Sequence, residues 1–358
     1  MNINVLIKLT LILFNIAFFF KITKPQFSLN SSINKNISNS FPNNSFTEQN
    51  LNSSNITSNS SRTFKQYIPI AYALNEDYFY PTYISLISIL ENSNKACCYV
   101  IYFLLSADGS FPEQYIKKFQ DLELKYLNCK IIIVDIDEDI YKKAYTGRYP
   151  KSAYYRLLIA DIITDFDRII YLDGDTIIFN DLTEIINLDM KNNIALGWVD
   201  NGFAKAKEFN ITIKAYITSG VILFNTKKMR EENITDKFFN FMNAYSDKLY
   251  QEDQTIINLV LADRIDYLPH KYGIWTYNKV DDLIYHNHFL NISSTKKCYD
   301  DMELINALYD PGIAHYVRSK PWKPITKHTC LRYRKIWWDY AKLSGEYENI
   351  KEYYNIEN

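Results

Sequence analysis

Arg168-Ile169-Ile170-Tyr171-Leu172-Asp173-Gly174-Asp175-Thr176 is the stretch on which the reading of this chain turns. An apolar run with two isoleucines and a tyrosine reads as a buried strand, and it drives straight into two carboxylates separated by one glycine. In open α/β sheets, ligands collect beyond the carboxyl ends of the strands. Two carboxylates at that spacing can both turn toward one hard divalent cation. The same letters also fit an Asp-Gly turn closing a hairpin, so the surrounding sequence has to decide.

Working outward, strand and helix patterns alternate, as in an α/β sheet. Residues 67–73, 99–105, 130–134, 168–172, 194–199 and 220–224 read as strands. Pro81 sits where the first turn of a helix tolerates it, with Ile84, Ile87 and Leu90 following at helical spacing. Further helices are predicted over 112–126, 151–162, 235–246 and 253–261. No internal repeat and no Pro/Gly/Ser linker divides the body, so one domain is expected over 67–342, with a C-terminal tail over 343–358. A chain of 358 residues with 47% hydrophobic content can bury a sizeable core. Its 40 Lys+Arg and 41 Asp+Glu leave a net charge of -1, which offers no global attraction for nucleic acid. The 30 Tyr and 21 Phe accompany abundant Asn, Ile and Lys, a set that shares AT-rich codons. Five Cys without a CxxC pair exclude a disulfide scaffold or a zinc knuckle.

The first residues set the expected compartment. Residues 5–20 are apolar except for Lys8, Thr10 and Asn15, and Lys21 and Lys24 follow. The greasy part is shorter than the ~20 residues of a comfortable span. Bulky Phe18, Phe19 and Phe20 stand where a cleaved signal would want small residues. Residues 1–24 are read as an uncleaved signal anchor in preference to a cleaved signal. Residues 25–66 are rich in Asn and Ser and lack apolar periodicity, which marks a disordered stem. Asn30, Asn36, Asn43, Asn52, Asn55 and Asn59 open Asn-x-Ser/Thr sequons there, and Asn210, Asn233 and Asn291 do so in the body. Together these features predict a glycosylated type II membrane protein of the secretory pathway, in the Golgi membrane, with a luminal body.

Downstream of the acidic run, Ile313-Ala314-His315-Tyr316 leads into Lys320-Pro321-Trp322. An imidazole can complete a metal site begun by two carboxylates, and a nearby lysine can neutralise a diphosphate. Between them lies Ser219-Gly220-Val221-Ile222-Leu223-Phe224-Asn225. With Ile70-Ala71-Tyr72-Ala73-Leu74-Asn75-Glu76-Asp77-Tyr78, Tyr155-Arg156-Leu157, Asp200 and Asp253-Gln254 in the same order, the chain resembles glycosyltransferase family 8 over nearly the whole body. The resemblance implies a GT-A fold, an α/β domain with a mixed central sheet. It also implies retaining transfer of a sugar from a UDP-sugar, with Mn²⁺ or another divalent cation, to a glycan, glycoprotein or glycolipid acceptor. By similarity, Asp173, Asp175 and His315 bind the metal, with Gly174 between the two acids. Ala73, Asn75, Asp77 and Tyr78 face uracil and ribose, and Arg156 and Lys320 meet ribose, diphosphate or sugar. Asp200, Thr218, Ser219, Asp253 and Gln254 line the sugar subsite, and Asp253 and Gln254 are the candidate catalytic pair.

Two departures stand out. His315 and Lys320 are five positions apart, one fewer than is usual in the family, which puts the reach of Lys320 in question and makes Arg318 a possible substitute. Thr218 stands where relatives often carry Asn. Two alternatives remain open. Asp173-Gly174-Asp175-Thr176 also matches the nucleophile motif of haloacid-dehalogenase-type phosphatases, with Asp281-Asp282 as a late acidic motif, although that motif normally follows the first strand of its domain. A non-catalytic luminal nucleotide-sugar-binding glycoprotein is the other. Cys298 and Cys330 flank the closing motif and are a candidate disulfide in an oxidising lumen, against the alternative that all five thiols are free.

Overall fold

Strand β1 (Gln66–Ala73) shows why the chain layers as it does. Ile68, Ile70 and Tyr72 enter one hydrophobic cluster and Ala71 enters the other, the two-residue period of a strand with both faces covered. β2 (Cys97–Ser106) repeats this, with Tyr99, Ile101 and Phe103 on one side and Val100, Tyr102 and Leu104 on the other. The computed structural model describes residues 63–356 except 143, 145–148, 201–202, 246–248, 250–251, 277–300 and 328. The expected signal anchor, nearly all of the stem with its sequons, Asn291, Asp281-Asp282 and Cys298 therefore lie outside the described residues. Among the described residues no helix is long and apolar enough to cross a membrane.

The remaining strands are β3 (Cys129–Ile136), β4 (Ile169–Leu172), β5 (Thr176–Ile178), β6 (Ala195–Val199), β7 (Ile217–Phe224), β8 (Ile265–Tyr267), β9 (Ile274–Trp275) and β10 (Ile313–His315). A 7-stranded sheet has the order β3-β2-β1-β4-β7-β6-β8. β1, β2, β3 and β4 run parallel, β7 is antiparallel to both β4 and β6, and β8 is parallel to β6. This is the mixed central sheet expected of a GT-A domain. The carboxyl ends of β1, β4 and β6 and the amino end of β7 meet along one edge. A second, 3-stranded sheet of order β5-β10-β9 stands beside it, and nothing in the sequence pattern pointed to it.

Helices cover both faces. The α-helices of seven residues or more among the described residues are α1 (Phe79–Glu91), α2 (Glu113–Lys125), α3 (Ile234–Tyr245), α4 (Glu252–Leu261), α5 (Asp301–Tyr309), α6 (Leu331–Ser344) and α7 (Tyr347–Tyr353). Side chains from α1, α2, α6 and α7 fill one cluster; those from α3 and α4 fill the other. Two expectations need correction. The helix expected over 151–162 is a 3-10 helix over Lys151–Leu158 that becomes α-helical only over Ile159–Ile162. The tighter winding brings positions three apart onto one line, and the Arg156 Nε–H donates to the Ala153 carbonyl at 2.9 Å. The residues after 342 are not a detached tail. Ile350 is fully buried in the core, and Lys118 of α2 pairs with Glu346 just ahead of α7.

Candidate active site

Strand pairing assembles the acidic centre. β4 and β7 pair with Leu172 opposite Val221, so the next residue along, Asp173, donates its N–H to the Gly220 carbonyl at 2.7 Å. The chain then turns at Asp173-Gly174-Asp175 and enters β5, whose antiparallel register with β10 sets Thr176 opposite His315. That pairing delivers His315 to the two acids. Its Nε2 lies 3.1 Å from Asp175 Oδ1 and 3.6 Å from Asp173 Oδ2. One ligand atom from each of Asp173, Asp175 and His315 falls within 4.8 Å of the others. Asp175 Oδ1 is buried with the imidazole nitrogen as its near neighbour, an arrangement that a cation seated among the three groups would complete. Two hard oxygens and one imidazole nitrogen suit a divalent ion.

Space around this centre is kept by two glycines. A Cβ built on Gly220 would lie 2.2 Å from His315 Cε1 and 2.7 Å from Asp173 Oδ2. A Cβ on Gly174 would lie 2.1 Å from Thr82 Oγ1 of α1. Below the turn runs a buried hydroxyl chain. The Thr176 hydroxyl donates to the Asp173 carbonyl at 2.9 Å and sits 2.8 Å from Ser85 Oγ, which is 2.8 Å from the Tyr72 hydroxyl.

Cations bracket the carboxylates. The Lys320 ammonium donates to Asp175 Oδ2 and, at 2.6 Å, to the Tyr316 carbonyl. The shortened spacing therefore does not stop Lys320 from reaching the centre, and Arg318 is exposed. Burial pushes the Asp175 carboxyl up, but Lys320 and His315 together outweigh it and hold it well below the usual carboxylate range. Arg156 is buried and bridges two acids, with NH2 3.0 Å from Asp173 Oδ1 and Nε 3.2 Å from Asp253 Oδ2. Its NH1 donates to the Ser219 carbonyl at 2.6 Å. Burial alone would lower its pKa, yet Asp173 and Asp253 hold it above its ordinary value and charged. Asp253 is pushed above the usual carboxylate range by burial, which the Arg156 charge and a Ser219 hydrogen bond offset only in part. Gln254 accepts from the Ser219 N–H at 3.2 Å and donates to Asp200 Oδ2 at 2.8 Å.

The other expected residues lie along the same edge. Ala73 ends β1, and the Asn75 carbonyl accepts the Tyr78 N–H at 3.1 Å in the turn that follows. Asp77 is exposed, and the Tyr78 hydroxyl lies 3.5 Å from Asp175 Oδ2. Burial, then the charges of Asp175 and Asp173, raises the Tyr78 phenol well above its ordinary value. Thr218 is buried in β7 next to Ser219. Sequence reasoning passed over Tyr171, whose hydroxyl donates to Asp173 Oδ1 at 3.1 Å and whose ring lies 4.3 Å from the Arg156 guanidinium carbon. The signal was there, since Tyr171 and Asp173 are two apart on a strand and share a face. Ser85 and Thr82 gave no such signal. Cys330 is a free thiol, and the partner expected for it, Cys298, lies outside the described residues.

This fold and this constellation define a GT-A glycosyltransferase. The sequence model of Glycosyl transferase family 8 matches residues 69–326, and the chain belongs to that family. Among curated relatives, General stress protein A of Bacillus subtilis (strain 168) is 28% identical over 257 residues, covering 69% of this chain and 83% of the relative. Lipopolysaccharide 1,2-glucosyltransferase of Escherichia coli is 27% identical over 320 residues, covering 80% and 90%. Among solved structures, the galactosyltransferase LgtC in complex with donor and acceptor sugar analogs superposes with a TM-score of 0.60 at 17% identity, covering 78% of this chain and 96% of that one. The bifunctional glycosyltransferase WbbM superposes with a TM-score of 0.67 at 21% identity, covering 81% of this chain and 52% of that one, about half its length. The family match, whose span includes Asp173-Gly174-Asp175, makes the chain a glycosyltransferase and not a haloacid-dehalogenase-type phosphatase.

Proposed function

We propose that the protein is a retaining transferase that moves a sugar from a UDP-sugar to a glycan, glycoprotein or glycolipid acceptor. In this reading Mn²⁺ or another divalent cation is held by Asp173, Asp175 and His315. The observation that supports it most is the convergence of three ligand atoms within 4.8 Å of one another at the carboxyl edge of the sheet. A bound cation there would act as a Lewis acid on the charge that develops as the diphosphate departs. The protein's own groups supply the rest. Lys320 adds a donor and a positive charge beside the leaving group. Asn75, Asp77 and Tyr78, with Ala73, form the side toward uracil and ribose. Asp200, Thr218, Ser219 and Gln254 offer hydrogen bonds to sugar hydroxyls.

Retention of anomeric configuration requires either a covalent double displacement or attack from the leaving group's own face. Asp253 is buried and ion-paired to Arg156, so its charge is engaged in holding the site together. Gln254 is an amide and a weak nucleophile. Front-face transfer fits better: the acceptor oxygen bonds to the anomeric carbon as its bond to the diphosphate breaks, and the departing oxygen takes the acceptor's proton.

A panel of UDP-sugars incubated with Mn²⁺ and no acceptor tests the reading through slow hydrolysis of one donor. EDTA, Asp175→Ala or His315→Ala should lower that rate about 10³-fold, the equivalent of roughly 4 kcal/mol, while the protein stays folded by circular dichroism. Undiminished turnover in chelator removes the metal from the reaction. Retention of UDP with Mn²⁺ but no hydrolysis of any donor would leave the non-catalytic binder as the better account. The compartment is proposed on the sequence features alone: a secretory, Golgi-type location predicts a mobility shift on deglycosylation, and a chain that does not shift argues against it.

A further inference from the structure

The matched family span ends at residue 326, yet the chain continues, and its last described helix returns to the donor side of the site. α7 ends where Asn355 adopts a left-handed conformation with φ 50°. Two adjacent tyrosines at that end both meet Asp77. The Tyr354 hydroxyl donates to the Asp77 carbonyl at 3.3 Å, and burial, then the nearby Asp77 charge, raises the Tyr353 phenol above its ordinary value. The Tyr354 ring also stacks on Trp322, with centroids 5.8 Å apart and planes 29° apart. Trp322 in turn packs edge-on against Tyr78 at 6.2 Å and follows Lys320 by two positions. Trp337 of α6 lies beneath Trp322 at 5.3 Å. Asp77 is otherwise exposed on a short turn, and such a turn is mobile unless other groups tie it down.

We infer that Tyr353 and Tyr354 are positioning residues for the donor: they tie the Asn75–Tyr78 turn to Trp322 and so hold the two sides of the nucleotide cleft in register. The inference rests on the proposed donor reading, because it assumes that this turn receives the uridine. Neither tyrosine touches the acidic centre, so the pair acts on binding of the nucleotide and leaves the chemical step alone.

The test uses the whole chain, with UDP plus Mn²⁺ as the probe, and the variants Tyr353→Phe, Tyr354→Phe and the double Phe variant, which remove only hydroxyls. Asn349→Ala, on the outer face of the same helix, is the control. The double variant should raise the UDP dissociation constant and the donor KM about three- to ten-fold, with kcat and the thermal midpoint unchanged. Amide exchange should quicken at Asn75–Tyr78 and not in the central strands. Unchanged affinity with unchanged local exchange would overturn the inference. So would a loss of affinity that only follows a lowered midpoint and exchange raised everywhere, since that is a structural effect. If the parent protein retains no uridine nucleotide, the donor reading fails. The exchange measurement then still judges whether the tyrosines hold the turn.

Discussion

At Gly220 a single missing methyl decides whether the acidic centre can exist. An alanine there would place its Cβ 2.2 Å from the His315 imidazole and 2.7 Å from Asp173 Oδ2, and both neighbours are fixed, one by β10 and one by Arg156. Gly220→Ala should cost about 1–3 kcal/mol of stability by overpacking. It should lower turnover by at least about 100-fold, because small misplacements of reacting groups carry that penalty. Urea unfolding and Mn²⁺ titration calorimetry would separate the two effects; calorimetry matching the parent would show that the imidazole can move aside. Asp253 offers a second test at this scale. Asp253→Asn keeps the shape but removes the charge facing Arg156, so donor hydrolysis should fall steeply while no glycosyl-enzyme accumulates. Mass spectrometry that finds a sugar covalently bound to Asp253 under slow turnover would end the front-face account.

Among the elements, α1 carries more than core packing. Thr82, Ser85 and Ser88 follow one another at three-residue spacing and are all fully buried, facing the Asp173-Gly174-Asp175 turn and β5. The Ser88 hydroxyl accepts the Ile178 N–H at 2.9 Å and donates to the Ser85 carbonyl at 2.6 Å. Ser85 links Tyr72 to Thr176, and Thr176 holds the Asp173 carbonyl. A helix with polar residues on its buried face contradicts its hydrophobic pattern, and here the exception fixes the turn that bears the carboxylates. Ser85→Ala leaves the Tyr72 hydroxyl without its partner in a site closed to water. The midpoint of urea unfolding should drop by the equivalent of about 1–3 kcal/mol. An unchanged midpoint would mean that the hydroxyl chain contributes nothing.

For the whole molecule, the closing contribution comes from the C-terminal helices. α6 and α7 bury Trp337, Ala341 and Ile350 against the sheet's helical layer, and the Trp338 indole donates to the Pro321 carbonyl at 3.0 Å. A chain ending at Lys342 should therefore lose cooperative unfolding, and Ile350→Ala alone should cost about 2–5 kcal/mol as a fully buried branched side chain. A truncated chain that unfolds at the parent's temperature would show α7 to be dispensable. The α/β class and the strand that ends in Asp173 were legible because periodicity is local: a run such as Ile169-Ile170-Tyr171-Leu172 specifies a buried strand wherever it lands. The short C-terminal helix was not, because Tyr347–Tyr353 has too few residues to show a period and owes its helicity to packing.

Taken alone, the sequence determined the α/β class, the acids at a strand's end, and the order of motifs that marks the family, all properties of residues close together along the chain. Only the tertiary structure decided that β5 pairs with β10 so that Thr176 faces His315, and that β7 runs against β4 and offers Gly220 to the site. Register between distant strands explains the difference. It follows from which faces are buried once the sheet is assembled, and a slip of one residue would turn His315 away from Asp173 and Asp175.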